Sequence, residues 1–171
     1  MVSPASNPTR RATVVVASTS AASGLNPDLT GPALVDWLRG RGFEVDAAQV
    51  VADGDPVGQA LRAAVERHDD VVITTGGTGV SPSDATPEQS QGLLDVVLPG
   101  IIEAIRRRGE AQTPLAVLTR GVAGFAGNTL IVNLPGSRGG VRDGMAVLEP
   151  LLDHLLDQRR GAGSHGPRGR A

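Results

Sequence analysis

Val71-Val72-Ile73-Thr74-Thr75-Gly76-Gly77-Thr78-Gly79-Val80-Ser81-Pro82-Ser83-Asp84-Ala85-Thr86-Pro87-Glu88 is the stretch that decides the fold. Its β-branched start, through Thr75, reads as a buried strand. The strand runs straight into a glycine-rich turn, where missing side chains let backbone N–H groups face a ligand closely. Thr86-Pro87-Glu88-Gln89 then resembles a capping box, with Thr86 at the cap and Gln89 three residues on. Strand, glycine turn and helix in this order are the unit of a parallel α/β sheet, whose ligands bind beyond the carboxyl ends of the strands. The carboxylate of Asp84 would repel a phosphate in the same turn. A hard cation such as Mg²⁺ between them removes that conflict. The stretch therefore predicts a phosphorylated, metal-bridged ligand. It is not a Walker loop, because the GK[ST] ending is missing, and the third glycine of GxGxxG is absent.

Outward from this stretch the same alternation recurs. Thr13–Ser18 is a first strand, and Thr30-Gly31-Pro32 opens a helix with Leu34, Val35 and Leu38 on its apolar face. Phe43–Val51 is a second strand. Asp55-Pro56 starts a helix as cap and first turn, with Val57, Ala60, Leu61, Ala64 and Val65 at helical spacing. Beyond Thr86 a helix passes Leu93, Leu94 and Val97 and breaks at Pro99-Gly100, and Ile101–Arg108 is a short helix. Leu115–Thr119 and Thr129–Asn133 read as further strands. Ser137 precedes a last helix carrying Val141, Met145, Leu148, Leu152 and Leu155, bent at Pro150. The expected fold is α/β, with a mostly parallel sheet. Four loops meet at one rim: 19–28, 52–55, 76–84 and 134–137. Residues 1–10 read as a flexible tail, 11–158 as one domain, and 159–171 as a disordered Gly/Arg-rich tail.

Composition narrows the chemistry. The 171 residues carry a net charge of -2, which makes no electrostatic case for nucleic acid or an anionic membrane. Trp37, Phe43 and Phe125 are the only aromatic residues, so base-stacking platforms are not expected. Cysteine is absent, which excludes disulfides and thiolate catalysis and fits a cytoplasmic protein. Lysine is absent as well, so no side chain can form a Schiff base, and all 16 basic residues are arginine. His68, His154 and His165 are scattered. No apolar run approaches the ~18–20 residues that cross a bilayer, and the N-terminus lacks a signal-peptide core.

Several loop residues admit two readings. Asp84 is an Asx-turn former or a Mg²⁺ ligand. Asp53 is a plain turn residue or a partner in the same chemistry, whereas Asp55 is most simply a helix cap. Asn133-Leu134-Pro135-Gly136-Ser137 is turn chemistry or an anion site at a helix N-terminus. Arg138 and Arg142 follow it where the helix dipole disfavours cations, unless an anion is bound there. Arg120 is an exposed strand-end residue or an anion clamp.

These motifs, in this order, resemble the MogA/MoaB family of molybdenum-cofactor biosynthesis proteins and the related G domains of gephyrin-like proteins. The likeness runs from about Thr13 to Asp157. It rests on Asp28 with Thr30-Gly31-Pro32, on Val51-Ala52-Asp53, on Thr74 through Gly79 and Ser81, and on Asp84-Ala85-Thr86-Pro87-Glu88. Leu118-Thr119-Arg120 and Asn133-Leu134-Pro135-Gly136-Ser137 complete it. The resemblance implies a three-layer α/β/α sandwich, a homotrimer, and a molybdopterin adenylyltransferase. Such an enzyme joins AMP from MgATP to the terminal phosphate of molybdopterin and passes the product to a molybdate-insertion enzyme. It places the functional aspartates, also the Mg²⁺ ligands, at Asp53 and Asp84. It places substrate and nucleotide contacts at Asp28, Thr30, Gly31, Thr75, Gly76, Gly77, Thr78, Gly79, Ser81, Thr86, Glu88, Arg120, Asn133, Pro135, Gly136 and Ser137. The attacking group is the pterin's own phosphate, so a chain without Cys, Lys or clustered His meets the chemical requirement.

Two departures stand out. Ser18-Thr19-Ser20 replaces the Ser-Asp-Arg common in relatives, and Ser83 stands where many carry Arg. Both remove a possible phosphate clamp. They motivate an alternative, a non-catalytic molybdopterin-binding or scaffold subunit. A nucleotide-pyrophosphate hydrolase on the same kind of domain is a further alternative.

Overall fold

The computed structural model of the protein describes residues 9–161. Within them, helices cover both faces of a mixed, mostly parallel sheet, giving three α/β/α layers. The central strands are β1 (Arg11–Ala17), β4 (Val71–Thr75) and β7 (Thr129–Leu134), mutually parallel in the order β1-β4-β7. All but Arg11 of their residues are buried, as strands covered on both sides require. Side-chain alternation then sorts their apolar residues between two cores. Val14, Ile73, Leu130 and Val132 face α2 (Gly31–Gly40), α5 (Pro99–Glu110), α6 (Arg138–Leu148) and α7 (Leu152–Arg159). Val15, Val72 and Ile131 face α3 (Asp55–Glu66), which contributes Val57, Leu61 and Ala64.

Local chemistry redraws several elements expected from the sequence. The second strand is two short pieces, β2 (Glu44–Val45) and β3 (Gln49–Val51), which pair with successive parts of β1. Leu115–Thr119 is not a strand. Pro114–Leu118 forms a 3-10 helix, its first turn preset by Pro114 and capped by Thr113, whose Oγ1 accepts from Leu115 N at 3.3 Å. Two antiparallel strands went unforeseen: β5 (Val96–Val97) and β6 (Ala123–Ala126), which extend the sheet beyond β7. Pro99-Gly100 opens α5 rather than ending a helix, because proline fits a first turn. Around Pro150 the chain breaks into α6 and α7.

The expected caps shift too. Gly54 is the N-cap of α3, with Asp55 in its first turn. In α4 (Thr86–Gln91) the N-cap is Ala85, so the capping box does not form, and Gln89 Nε2 donates to Asp55 Oδ1 at 3.3 Å instead. A single helical turn, α1 (Thr19–Ala22), sits inside the first rim loop, capped by Ser18.

The expected tails lie mostly outside the described residues, and ion pairs trim them from within. Arg10 reaches Asp153 at 2.6 Å and Asp157 at 2.5 Å. Arg159, the last residue of α7, pairs with Asp95 at 3.0 Å, and Arg160 pairs with Asp70.

Ile131 is fully buried in the smaller core, so truncation leaves a cavity the central strand cannot collapse into. Ile131→Ala is expected to lower the unfolding free energy by about 2–5 kcal/mol, read from urea midpoints with an unchanged slope.

Candidate functional site

Register builds the rim. Ala17 pairs with Val51, Val16 with Thr75, and Thr75 with Leu134, so β1, β3, β4 and β7 end side by side. All four expected loops leave from that edge. Gly76 N donates to Leu134 O at 3.1 Å, which locks two of the turns together. Gly76 has φ +90, and a Cβ there would lie 2.3 Å from Ala17 O. A Cβ on Gly136 would lie 3.1 Å from the Cα of Gly76. Only glycine fits at Gly76, since both the backbone angle and the space exclude a side chain.

This glycine contact is a wall between two cavities. The larger, about 430 Å³, runs along Gly76–Gly79 to α5, the 3-10 helix and the start of α6. The smaller, about 200 Å³, is bounded by Ser18, Asp28, Thr30 and Thr75. Gly76 and Gly136 are common to both. The N–H groups of Gly77, Thr78 and Gly79 have no protein partner among the described residues. They are donors available to an anion.

Asp53 and Asp84 approach this one loop from two sides. Asp53 Oδ1 accepts from Gly54 N at 2.7 Å, Ala85 N at 3.3 Å and Thr86 Oγ1 at 3.4 Å. Its Oδ2 lies 2.3 Å from where a Cβ on Gly77 would stand. Asp84 Oδ2 accepts from Ser81 N at 3.1 Å and lies 2.7 Å from the corresponding point on Gly79. Each carboxylate thus keeps one oxygen without a hydrogen bond from the described residues, and that of Asp53, Oδ2, is the one that lies against Gly77. Asp84 borders the larger cavity, whereas Asp53 lines neither of the two. No cluster of three metal-ligating His, Cys, Asp or Glu residues occurs among the described residues. Mg²⁺ commonly takes one or two protein carboxylates with waters and substrate phosphates, and Asp84 is the one of this pair that lines the cavity.

Other expected contact residues form the scaffold of the site. Arg120 does not reach into a cavity. Its Nε donates to Gly79 O at 2.7 Å, its Nη2 to Asp84 O at 2.8 Å, and its Nη1 to Glu88. It holds the loop from beneath. Asn133 is buried, donating to Thr74 Oγ1 and Ser90 Oγ and accepting from Val122 N, so it has no face left for a ligand. Thr75 donates to Pro135 O at 2.9 Å, and Thr78 accepts from Thr119 at 3.0 Å. Thr86 is wholly buried against Asp53. Asp28 turns inward on its own segment, accepting from Thr30 N at 3.0 Å and Gly31 N at 2.9 Å. Ser137 caps α6 through Gly140 N at 3.0 Å. Ser81 is exposed on the loop. At the two departures, Ser20 Oγ lies 3.3 Å from Ser18 Oγ, and Ser83 Oγ 3.2 Å from Ser81 Oγ.

Sequence reading missed the far wall of the larger cavity, including Ile105, Gly109, Ala116 and Asp143. The available signal was the bare stretch Gly139-Gly140 and Gly144 in α6, with an aspartate set between apolar positions.

Residues 13–154 match the family described as a probable molybdopterin binding domain. The chain belongs to this family. Within it, the protein is 31% identical over 148 residues to the molybdopterin adenylyltransferase of Helicobacter pylori, covering 84% of each chain. It is 36% identical over 156 residues to the molybdenum cofactor biosynthesis bifunctional protein of Synechococcus elongatus, covering 91% of this chain and 49% of that one. The chain spans about half the length of the bifunctional relatives it matches. The solved molybdopterin biosynthesis Mog protein of Mycobacterium ulcerans superposes with a TM-score of 0.85 at 56% identity, covering 88% of this chain and 99% of that one. The expected fold and family are therefore confirmed.

The Arg120 hydrogen bond, reinforced by its charge, holds the Glu88 carboxyl below its ordinary value of 4.5. A depressed carboxylate stabilises the fold above that ordinary value and loses its contribution as pH falls through the lowered one. Glu88→Gln is accordingly expected to lower Tm slightly at pH 7, the pair being exposed. The difference from the unmodified protein should shrink as pH falls below 4.5 and through the lowered value, as read by thermal denaturation across an acidic pH series.

Proposed function

We propose that this chain is a molybdopterin adenylyltransferase, which transfers AMP from MgATP to the terminal phosphate of molybdopterin. The observation that carries the reading is the placement of Asp53 and Asp84 against Gly77 and Gly79 of one loop, beside a glycine wall shared by two cavities. Two cavities with a common wall suit two substrates whose phosphates must meet. The name of the Helicobacter relative supports the same reading.

In the proposed reaction a phosphate oxygen of the pterin forms a bond to the α-phosphorus of ATP. The bond from that phosphorus to the bridging oxygen breaks, and pyrophosphate leaves with the electron pair. Neither a protein nucleophile nor an external reductant or oxidant is required. The barrier is chiefly that of bringing two polyanions into line. Main-chain N–H groups of Gly77, Thr78 and Gly79 would receive phosphate oxygens as fixed dipoles that need no reorganisation. Asp53 and Asp84 would hold Mg²⁺, which neutralises phosphate charge when bound. Arg120 and Asn133 would keep the loop and the strand ends in place. A homotrimer, a cytoplasmic location and hand-over to a molybdate-insertion enzyme belong to the same proposal. No helix among the described residues is long and apolar enough to cross a membrane.

Purified protein with molybdopterin, ATP and Mg²⁺ is expected to yield adenylylated pterin and pyrophosphate. Asp84→Asn and Asp53→Asn should each reduce turnover by about 100-fold or more, in the range that lost electrostatic stabilisation produces, with Tm retained. Full turnover in both variants would overturn the assignment of these residues.

A further inference from the structure

The larger cavity ends on a patch with an unusual polar endowment. Gly109 of α5 and Ala116 of the 3-10 helix pack so closely that a Cβ on Gly109 would lie 2.7 Å from that of Ala116. The same point lies 3.7 Å from Asp143 Oδ2. Asp143, in the second turn of α6, has a side chain only 9% exposed. A carboxylate so deep normally receives several hydrogen bonds. Among the described residues none donates a hydrogen bond to either oxygen, and the one charged contact is an ion pair. Arg108 Nε stands 3.4 Å from Oδ1, on a side chain itself 56% exposed. The cavity lining here combines Ile105, Ala116, Gly109 and Gly140 with the polar Gln112 and Thr113. The result is a slot with, at one end, a carboxylate that has one long ionic contact and no hydrogen-bond donor from the described residues, and main-chain amides at Gly77–Gly79 at the other.

We infer that Asp143 is the specificity residue of this cavity. It accepts two adjacent N–H groups from the 2-amino-4-oxopyrimidine edge of a pterin, whose phosphate lies toward Gly76 and Gly136. The assignment rests on the adenylyltransferase reading and deepens it by allotting the cavities. A 2-amino-4-oxopyrimidine presents its ring N–H and its amino N–H side by side, at the spacing of two carboxylate oxygens, so both bonds are charge-assisted. Adenine presents an amino N–H beside a ring nitrogen lone pair. That lone pair would face a carboxylate oxygen and leave it unpaired, a costly arrangement in a buried site. The nucleotide is thereby left to the cavity beyond the glycine wall, next to Asp28 and Thr30. Guanine carries the same edge as a pterin, and the test separates the two sources.

Full-length protein is titrated with 6-hydroxymethylpterin monophosphate, its 2-oxo (lumazine) counterpart, GMP and AMP, with binding followed by ligand fluorescence or calorimetry. The unmodified protein is expected to prefer the pterin over the lumazine by at least about tenfold, since the lumazine replaces one donor with an acceptor. Asp143→Asn is expected to weaken the pterin phosphate by about 10- to 100-fold while AMP affinity and Tm stay unchanged. Equal affinity for pterin and lumazine in the unmodified protein overturns the inference, and that comparison needs no variant to fold. An Asp143→Asn protein that binds the pterin phosphate as before overturns it too, as does GMP binding more tightly than the pterin phosphate. The parent reading fails separately. Unaltered KM for molybdopterin in a turning-over Asp143→Asn enzyme sinks this inference alone. A protein with the pterin preference but no adenylylation sinks the transferase reading alone.

Discussion

Contact between two stretches of backbone, at Gly76 and Gly136, is the constraint on which the site depends. Parallel pairing of β4 with β7 delivers the two turns to the same height, and the Gly76 N–H to Leu134 O bond fixes them there. Any side chain at Gly76 would run into the Ala17 carbonyl, so the strand to its other side is part of the same lock. Three strand ends are thereby held within backbone contact, and the wall they form is too thin to contain anything but main chain. At the wall itself a ligand on either side meets peptide dipoles, which lets an anion be held there without a cationic side chain.

Around that contact, the strong polar groups act mostly on the protein itself. Asn133 ties β7 to β4 through Thr74, to α4 through Ser90 and to Val122. Arg120 gathers Gly79, Asp84 and Glu88 into one arrangement. Asp53 joins the end of β3 to the start of α4. Each of these residues supports geometry that the glycine loop, having little side-chain packing of its own, could not maintain. Rigid support beneath a flexible sequence is what preorganised electrostatics needs.

The legible part of the chain was the part where local pattern and tertiary setting agree. Val71–Thr75 and the Thr13–Val16 run of β1 read as buried strands, and the glycines that follow Val71–Thr75 marked the rim. The illegible parts have physical reasons. Val96–Val97 and Ala123–Ala126 are strands because they pair with neighbours, not because their own sequences insist on it, and Gly124 is a poor strand former. Leu115–Leu118 has strand-like composition, yet Pro114 and the Thr113 cap turn it into a 3-10 helix. Thr86 matched a cap pattern, but Asp53 competed for its hydroxyl. At the site, aspartates beside glycines could be seen in the sequence. The inward duty of Arg120 and Asn133 could not, since it depends on partners dozens of residues away.

Arg10 and Arg160 lie at the opposite edge of the sheet from the rim, Arg160 beside Asp70 just ahead of β4, and Arg10 against Asp153 and Asp157 of α7. Both of these residues, near the ends of the described chain, therefore lie on the side away from the two cavities. That placement puts the two arginines that anchor the ends of the described fold clear of both pocket mouths.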